Sequence, residues 1–231
     1  MATGTSVLPF QYVFPSRVDT GANGQVALDW PPGLAPFGSQ APVTLNEAAA
    51  TVQLRPGAFS PGECAQIMAL GDALPATTAG TEDRENYYRV SKIAWIEASE
   101  QSHWLFHRMG LLFREVNAHY GFELFGLVDA LQYTVYGPGQ RFDWHMDLGP
   151  AQTSVRKLSI TVQLCDGADY DGGDLEFLNA PRPESPGAAV HPARQRGTAT
   201  IFPSYVAHRV SPVTRGTRIS LVAWACGPAF R

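Results

Sequence analysis

Arg141-Phe142-Asp143-Trp144-His145-Met146-Asp147 is the stretch on which the reading of this chain turns. Side chains on a β-strand alternate between its two faces, so His145 and Asp147 point one way and Met146 the other. One imidazole and one carboxylate on one face make half a metal site. Phe142, Trp144, Met146 and Leu148 give the opposite face an apolar character, which predicts a strand carrying its polar pair on a distinct side.

Around this stretch, from residue 127 onward, the chain reads as short strands. The candidates are 127–136, 144–148, 155–164, 173–177, 198–202, 207–210 and 217–224. Gly137-Pro138-Gly139, Asp166-Gly167, Asp171-Gly172-Gly173 and Arg215-Gly216 supply the turns, and the Pro-rich residues 180–192 an extended loop at the rim. Many short strands with such turns predict a sandwich or barrel, a class that includes the jelly roll.

Upstream the pattern changes. Ser60-Pro61-Gly62-Glu63 is a helix start, with Ser60 as N-cap, Pro61 in the first turn and Glu63 closing a capping box, and the helix is expected to run to about Gly71. Residues 87–96 alternate as a strand. A longer helix is expected from about Ser99 to Tyr120, because Leu105, Met109, Leu112, Phe113, Val116 and Tyr120 recur at spacings of three and four. His103 and His107 lie four apart on it with no Glu between them in the HExxH manner, so they read as solvated or packed. Residues 1–50 are rich in Gly and Pro, with turns rather than regular elements, yet Phe10, Tyr12, Phe14, Trp30 and Phe37 make them too apolar for a simple tail. They are expected to form an arm packing on the body. The chain is thus an α+β, mainly β protein: an arm over 1–50, a helical and strand support region over 51–126, and a β core over 127–231.

The 231 residues, 45% hydrophobic, suit one large domain or one with an elaborated edge. A net charge of -4 and a pI near 5.8 argue against a domain-wide attraction to nucleic acid or to an acidic membrane. A small molecule or a peptide or protein substrate is the default partner. Cys64, Cys165 and Cys226 are few and scattered, which suggests neither a disulfide framework nor a thiolate zinc site and fits a reducing cytoplasm. The first residues lack a basic segment leading into an apolar run, and no window reaches the roughly 18 apolar residues of a membrane span, so neither export nor a membrane is expected. Oligomeric state leaves no signal in the sequence.

A second segment completes the metal site. His208 follows Phe202-Pro203-Ser204, and Arg218 lies beyond a turn over residues 212–216. Two histidines and a carboxylate leaving open positions are the ligand set of non-haem Fe(II) oxygenases. The turn is expected to reverse the chain, setting the strands of His208 and Arg218 side by side at about 5 Å. Arg218 and Ser220 share a face by alternation, and a guanidinium with a hydroxyl beside it suits a carboxylate. Ile219, Leu221 and Ala223 on one face, with Val222 and Trp224 on the other, imply a strand buried on both sides. A buried charge needs a partner, and a bound dicarboxylate would be one.

The order Tyr136, His145-Met146-Asp147, Arg156-Lys157-Leu158-Ser159, Tyr170-Asp171-Gly172-Gly173-Asp174-Leu175-Glu176-Phe177, Phe202-Pro203-Ser204, His208 and Pro212-Val213-Thr214-Arg215-Gly216-Thr217-Arg218 closely resembles the 2-oxoglutarate and Fe(II)-dependent dioxygenases. It looks most like their prolyl-4-hydroxylase-like branch, which includes the PKHD-type hydroxylases. The resemblance covers roughly residues 127–226. It implies a double-stranded β-helix (jelly roll) core braced by the N-terminal helices, with His145, Asp147 and His208 as iron ligands and Arg218 as anchor of the distal carboxylate of 2-oxoglutarate. It further implies Fe(II), 2-oxoglutarate and O2 as reactants, ascorbate as a reductant, and hydroxylation of a peptidyl or free proline-like amino acid with release of succinate and CO2.

Tyr136 matches a tyrosine of the family's pocket wall. Ser159, Thr161 and Gln163 share the polar face of their strand, where family members place a side chain that helps to hold 2-oxoglutarate, and Thr161 is the candidate here. Arg89, Trp95, Tyr87 and Trp144 are candidate substrate contacts. The rival readings are an oxidase or hydroxylase of a small natural-product intermediate, a metal-binding jelly roll without a cosubstrate, and a non-catalytic Fe(II) and 2-oxoglutarate sensor.

Overall fold

The computed structural model describes residues 16–20, 26–30, 32, 51–79, 89–178 and 194–229. Tyr87 and the loop over 179–192 lie outside the described residues. The chain divides into two units, Met1–Glu47 and Ala48–Arg231. In the first, β1 (Arg17–Thr20) pairs antiparallel with β2 (Val26–Asp29), Arg17 opposite Asp29. This corrects the expectation of turns alone: each arm is only four residues long, and such short strands are masked by the surrounding Gly and Pro.

The second unit begins with β3 (Gln53–Arg55) and α1 (Pro61–Asp72). The capping box forms as expected: the Glu63 backbone N–H donates to Ser60 Oγ at 3.2 Å, and the Ser60 N–H donates to Glu63 Oε2 at 2.7 Å. Cys64, Ile67 and Gly71 make the buried face of α1. Gly71 is required there, since a Cβ would overlap the ring of Tyr133, whose hydroxyl donates to Asp72 Oδ1 at 2.8 Å.

β4 (Thr77–Ala79) and β5 (Arg89–Ile96) precede α2 (His103–Tyr120), which buries all six residues of its apolar stripe and stops at Gly121 in the left-handed region at φ 69°. The helix starts a turn later than Ser99 because Ser99 and Ser102 are tied to one another and to Glu97 O instead. Tyr120 fastens the end of α2 to the sheet, donating to the carbonyls of Thr51 and Ile201, each at 3.0 Å. Among the described residues no helix is long and apolar enough to cross a membrane.

The remaining strands are β6 (Leu131–Tyr136), β7 (Arg141–His145), β8 (Arg156–Gln163), β9 (Tyr170–Gly172), β10 (Leu175–Phe177), β11 (Ala199–Pro203), β12 (His208–Val210), β13 (Val213–Gly216) and β14 (Arg218–Cys226). They curl into a ten-stranded sheet of order β10-β12-β7-β5-β6-β14-β8-β11-β3, with β4 beside β5, and β13 pairs separately with β9. Strand β5 joins the two walls of this roll, pairing with β6 along most of its length and with β7 at Arg89 and Val90.

Alternation along the central strands sorts the interior. Leu158, Ile160 and Val162 of β8 and Leu221, Ala223 and Ala225 of β14 share one core with the α1 and α2 residues. The intervening Ser159, Thr161, Gln163 and Ser220 are also buried, but on the opposite side of the sheet from that core. A strand with one apolar and one polar buried face builds a core and a polar cavity wall at once.

Candidate metal centre and cosubstrate pocket

His145 and His208 sit directly opposite one another on β7 and β12. The ligand atoms of His145, Asp147 and His208 all lie within 4.8 Å of one another. His145 Nε2 is 3.9 Å from Asp147 Oδ1, and His208 Nε2 is 3.6 Å from Asp147 Oδ2.

The strand argument for this pair needs correction in two respects. First, β7 ends at His145, so Asp147 is placed by loop contacts rather than by alternation: its N–H and that of Leu148 both donate to Ser204 O at 2.9 Å. Second, the opposite face of the stretch is not a buried apolar surface, since Trp144 is 39% exposed and Met146 57%. Pairing shifts between His208 opposite His145 and Val210 opposite Phe142, which leaves one extra residue in β7. That bulge turns Phe142 onto the side of His145, where the rings stack at 3.4 Å.

The donor set fits a divalent iron. Nδ1 of each imidazole faces a backbone carbonyl, His145 toward Asp143 O at 2.7 Å and His208 toward Val206 O at 2.9 Å. A proton held on Nδ1 by these carbonyls leaves the Nε2 lone pairs as ligands. Ser159 Oγ donates to Asp147 Oδ2 at 2.6 Å and lies 3.0 Å from Ser204 Oγ, fixing the carboxylate. Burial, followed by the neighbouring His208, lowers the His145 pKa to about 4, so its imidazole is neutral at pH 7. Two imidazole nitrogens and one carboxylate leave half of an octahedron open.

A cavity of about 330 Å³ opens from this triad. Across it stands Arg218, 3% exposed, with Nη1 donating to Ser220 Oγ at 3.2 Å and Tyr136 directly opposite on β6. The Arg218 guanidinium lies 5.5 Å from the centre of the Tyr136 ring, and burial pushes the Tyr136 hydroxyl pKa up. Arg218 forms no ion pair among the described residues, so an anionic ligand would match its charge. The expected pairing of the His208 and Arg218 strands does not occur. β12 lies between β7 and β10, and β14 between β6 and β8. The cause is β13: residues 213–216 form a strand of their own on β9 and carry the chain from one wall of the roll to the other. His208 and Arg218 therefore meet across the cavity.

Thr161 and Ser220 line the cavity with Tyr136 and Arg218, as do Arg89 and Trp95. Trp144 is not part of its wall; Arg209 covers its ring at 4.8 Å. Sequence reasoning missed Gln132, Arg156 and Trp224, which also line the cavity. Arg156 lies over the Trp224 ring at 3.7 Å, pairs with Asp129 at 2.9 Å and donates to Asp147 O at 3.4 Å. The signal for Trp224 was its alternation with Val222 and Ser220, a polar-side position that was read as core.

Residues 131–226 match the 2OG-Fe(II) oxygenase superfamily. That match spans less than half of the chain. PKHD-type hydroxylases of Picosynechococcus and Sphingopyxis alaskensis are 36% and 34% identical to it over 97 and 107 residues. These matches cover 42% and 39% of this chain and 42% and 41% of those proteins, so the chain matches less than half the length of these curated relatives. Over those stretches the chain is similar to PKHD-type hydroxylases. Among solved structures, a Pseudomonas putida prolyl-4-hydroxylase superposes with a TM-score of 0.58 at 19% identity, over 80% of this chain and all of that one. A 2OG-Fe(II) oxygenase family oxidoreductase of Burkholderia pseudomallei gives 0.58 at 20% identity, over 81% and 91%. Both share the fold of this chain, a jelly-roll core.

Proposed function

We propose that this protein is an oxygenase that uses Fe(II), 2-oxoglutarate and O2 to hydroxylate an unactivated C–H bond of a peptidyl or free proline-like amino acid, releasing succinate and CO2. The observation that carries the reading is the placement of a buried Arg218, which forms no ion pair among the described residues, across one cavity from the His145, Asp147 and His208 cluster. Iron held by those three residues would supply the oxidising chemistry and chelate the 2-oxo acid end of the cosubstrate.

The chain's own residues do the rest. Arg218 and Ser220 take the distal carboxylate, so the cosubstrate spans from one wall of the roll to the other, with Tyr136 and Thr161 beside it. Phe142, stacked on His145, and Phe202, 4.6 Å from His208, shield the ligand rings from water. On the open side Arg89, Trp95 and Trp224 face the substrate. Trp95 at 39% and Met146 at 57% exposure give the mouth an apolar rim suited to a side chain presented by a longer chain.

Anaerobic titration with Fe(II) and 2-oxoglutarate, followed by admission of oxygen and a succinate assay, tests the proposal. A visible charge-transfer band with succinate formation supports it, and proline-containing peptides are the first substrates to screen. A band with no succinate under any substrate leaves a sensor. Folded, metal-loaded protein that gives no band refutes the cosubstrate assignment.

A further inference from the structure

One strand carries both ends of the cavity. By alternation Arg218, Ser220, Val222 and Trp224 share a face of β14, and all four line the cavity. Trp224 therefore stands roughly 20 Å of strand away from the Arg218 anchor. There its ring centre is 6.3 Å from that of the exposed Trp95, the two planes tilted by 41°. Arg156 meets this indole from the start of β8. Its guanidinium lies 3.7 Å from the centre of the Trp224 ring, while Nε donates to Asp129 Oδ2 at 2.9 Å and Nη1 to Asp147 O at 3.4 Å. Arg156 and Asp129 are each only 12% exposed at the side chain, and Gln152 donates to the other oxygen of Asp129 at 3.4 Å. Arg156 lines the cavity, whereas Asp129 is not among its lining residues.

We propose that Arg156, aimed by Asp129, is a positioning residue that fixes the Trp224 indole as the substrate wall of the cavity and ties that wall to the loop of the metal ligand Asp147. This inference rests on the function proposed above. A guanidinium is a planar fork, and here its three directions are used separately: one edge on a carboxylate, one amine on a backbone carbonyl, and the flat face on an indole. With the edge held by Asp129, the plane over Trp224 has one orientation, and the cation on that ring selects one rotamer of the indole. A lysine ammonium is a point charge and offers no plane to lay on the ring while it pairs with Asp129. A wall fixed in this way keeps a substrate that rests on it in one register with the metal ligands, with less freedom to lose on binding.

The test reads the indole geometry directly. Two indoles this close and this tilted couple their transitions, which gives an exciton couplet in the far-ultraviolet circular dichroism of the metal-free protein. Trp95→Phe and Trp224→Phe are each expected to abolish the couplet and so assign it. Arg156→Lys keeps the charge and a partner for Asp129, and is expected to lose most of the couplet in a protein that remains folded. Asp129→Ala is expected to lose it as well, although it touches neither indole. Anaerobic calorimetry of Mn(II)-loaded Asp129→Ala should give a 2-oxoglutarate affinity within about twofold of wild type, because distant sites act independently. A couplet that survives in folded Arg156→Lys, or a wild-type spectrum that Trp95→Phe leaves unchanged, overturns the inference. A couplet lost together with 2-oxoglutarate affinity in Asp129→Ala also overturns it, since that marks a general loosening of the roll. Wild-type protein that binds no 2-oxoglutarate when loaded with Mn(II) overturns the proposed function, whereas the couplet, read without metal or cosubstrate, decides the positioning role on its own.

Discussion

Ser159 on β8 donates its hydroxyl to Asp147 Oδ2 at 2.6 Å. Asp147 lies just beyond the end of β7, and β7 and β8 belong to opposite walls of the roll. A single side-chain bond therefore spans the interior and orients the only carboxylate of the triad, whose backbone is already held by Ser204. Partners of this kind set ligand geometry and basicity, and their loss weakens metal affinity by about 10- to 100-fold. Ser159→Ala is expected to bind Co(II) at least about tenfold more weakly by calorimetry while retaining the circular dichroism of the wild type.

Arg218→Ala removes the charge at the far end of the cavity. It is expected to raise the 2-oxoglutarate requirement at least about tenfold, the value of one charged hydrogen bond. Succinate assayed against 2-oxoglutarate concentration gives the shift, and an unchanged requirement would mean that the distal carboxylate sits elsewhere.

Gly173→Ala places a methyl 2.9 Å from Val213 Cγ2 and 3.1 Å from Arg218 Cδ, at a backbone φ of +64° that an alanine adopts only with strain. The expected cost is more than about 1 kcal/mol of stability, read from the urea midpoint. Cosubstrate affinity should fall with it, because the methyl displaces the arginine stem.

Gly71→Ala tests the packing of α1 on the sheet. The added Cβ meets the Tyr133 ring closer than any real contact, and both groups are held, Gly71 in the helix and Tyr133 by its bond to Asp72. Overpacking of this kind costs about 1–3 kcal/mol, measurable by urea unfolding, with metal binding of the folded fraction unaffected.

The His145 ring in the metal-free protein is expected to titrate near pH 4 by NMR, well below the ordinary 6.5, because burial and the adjacent His208 oppose its charged form. The folded state thus binds this proton less readily than the unfolded chain does. Its contribution to stability is present above pH 6.5 and is lost as the pH falls toward 4. Asparagine at this position should flatten that part of the stability profile of the metal-free protein.

The candidate site was legible in the residues because imidazoles with a carboxylate suit a metal and a guanidinium with a hydroxyl suits a dicarboxylate. Helix α1 was legible from its capping box and α2 from its stripe, since both signals are local. The strand positions of β8 and β14 followed from alternation, and with them the buried polar face that Thr161 and Ser220 share. By itself, then, the sequence determined the two helices, the long strands of the roll and the presence of Arg218 on a strand buried on both sides.

Only the tertiary structure decided which of these elements meet. Alternation cannot say which strand lies beside which, because pairing depends on contacts between residues far apart in the chain. The sequence reading accordingly placed the strands of His208 and Arg218 side by side, whereas β13 carries the chain from one wall to the other and sets the two residues face to face. The bulge that brings Phe142 onto His145 changes a face by one inserted residue, a shift that a period of two cannot register. Arg194 reaches Tyr170 only because the turn over residues 166–174 folds back against β13. These contacts arise from the closure of the roll, and they turn a set of suitable side chains into one cavity with two imidazoles and a carboxylate at one end and a buried guanidinium at the other.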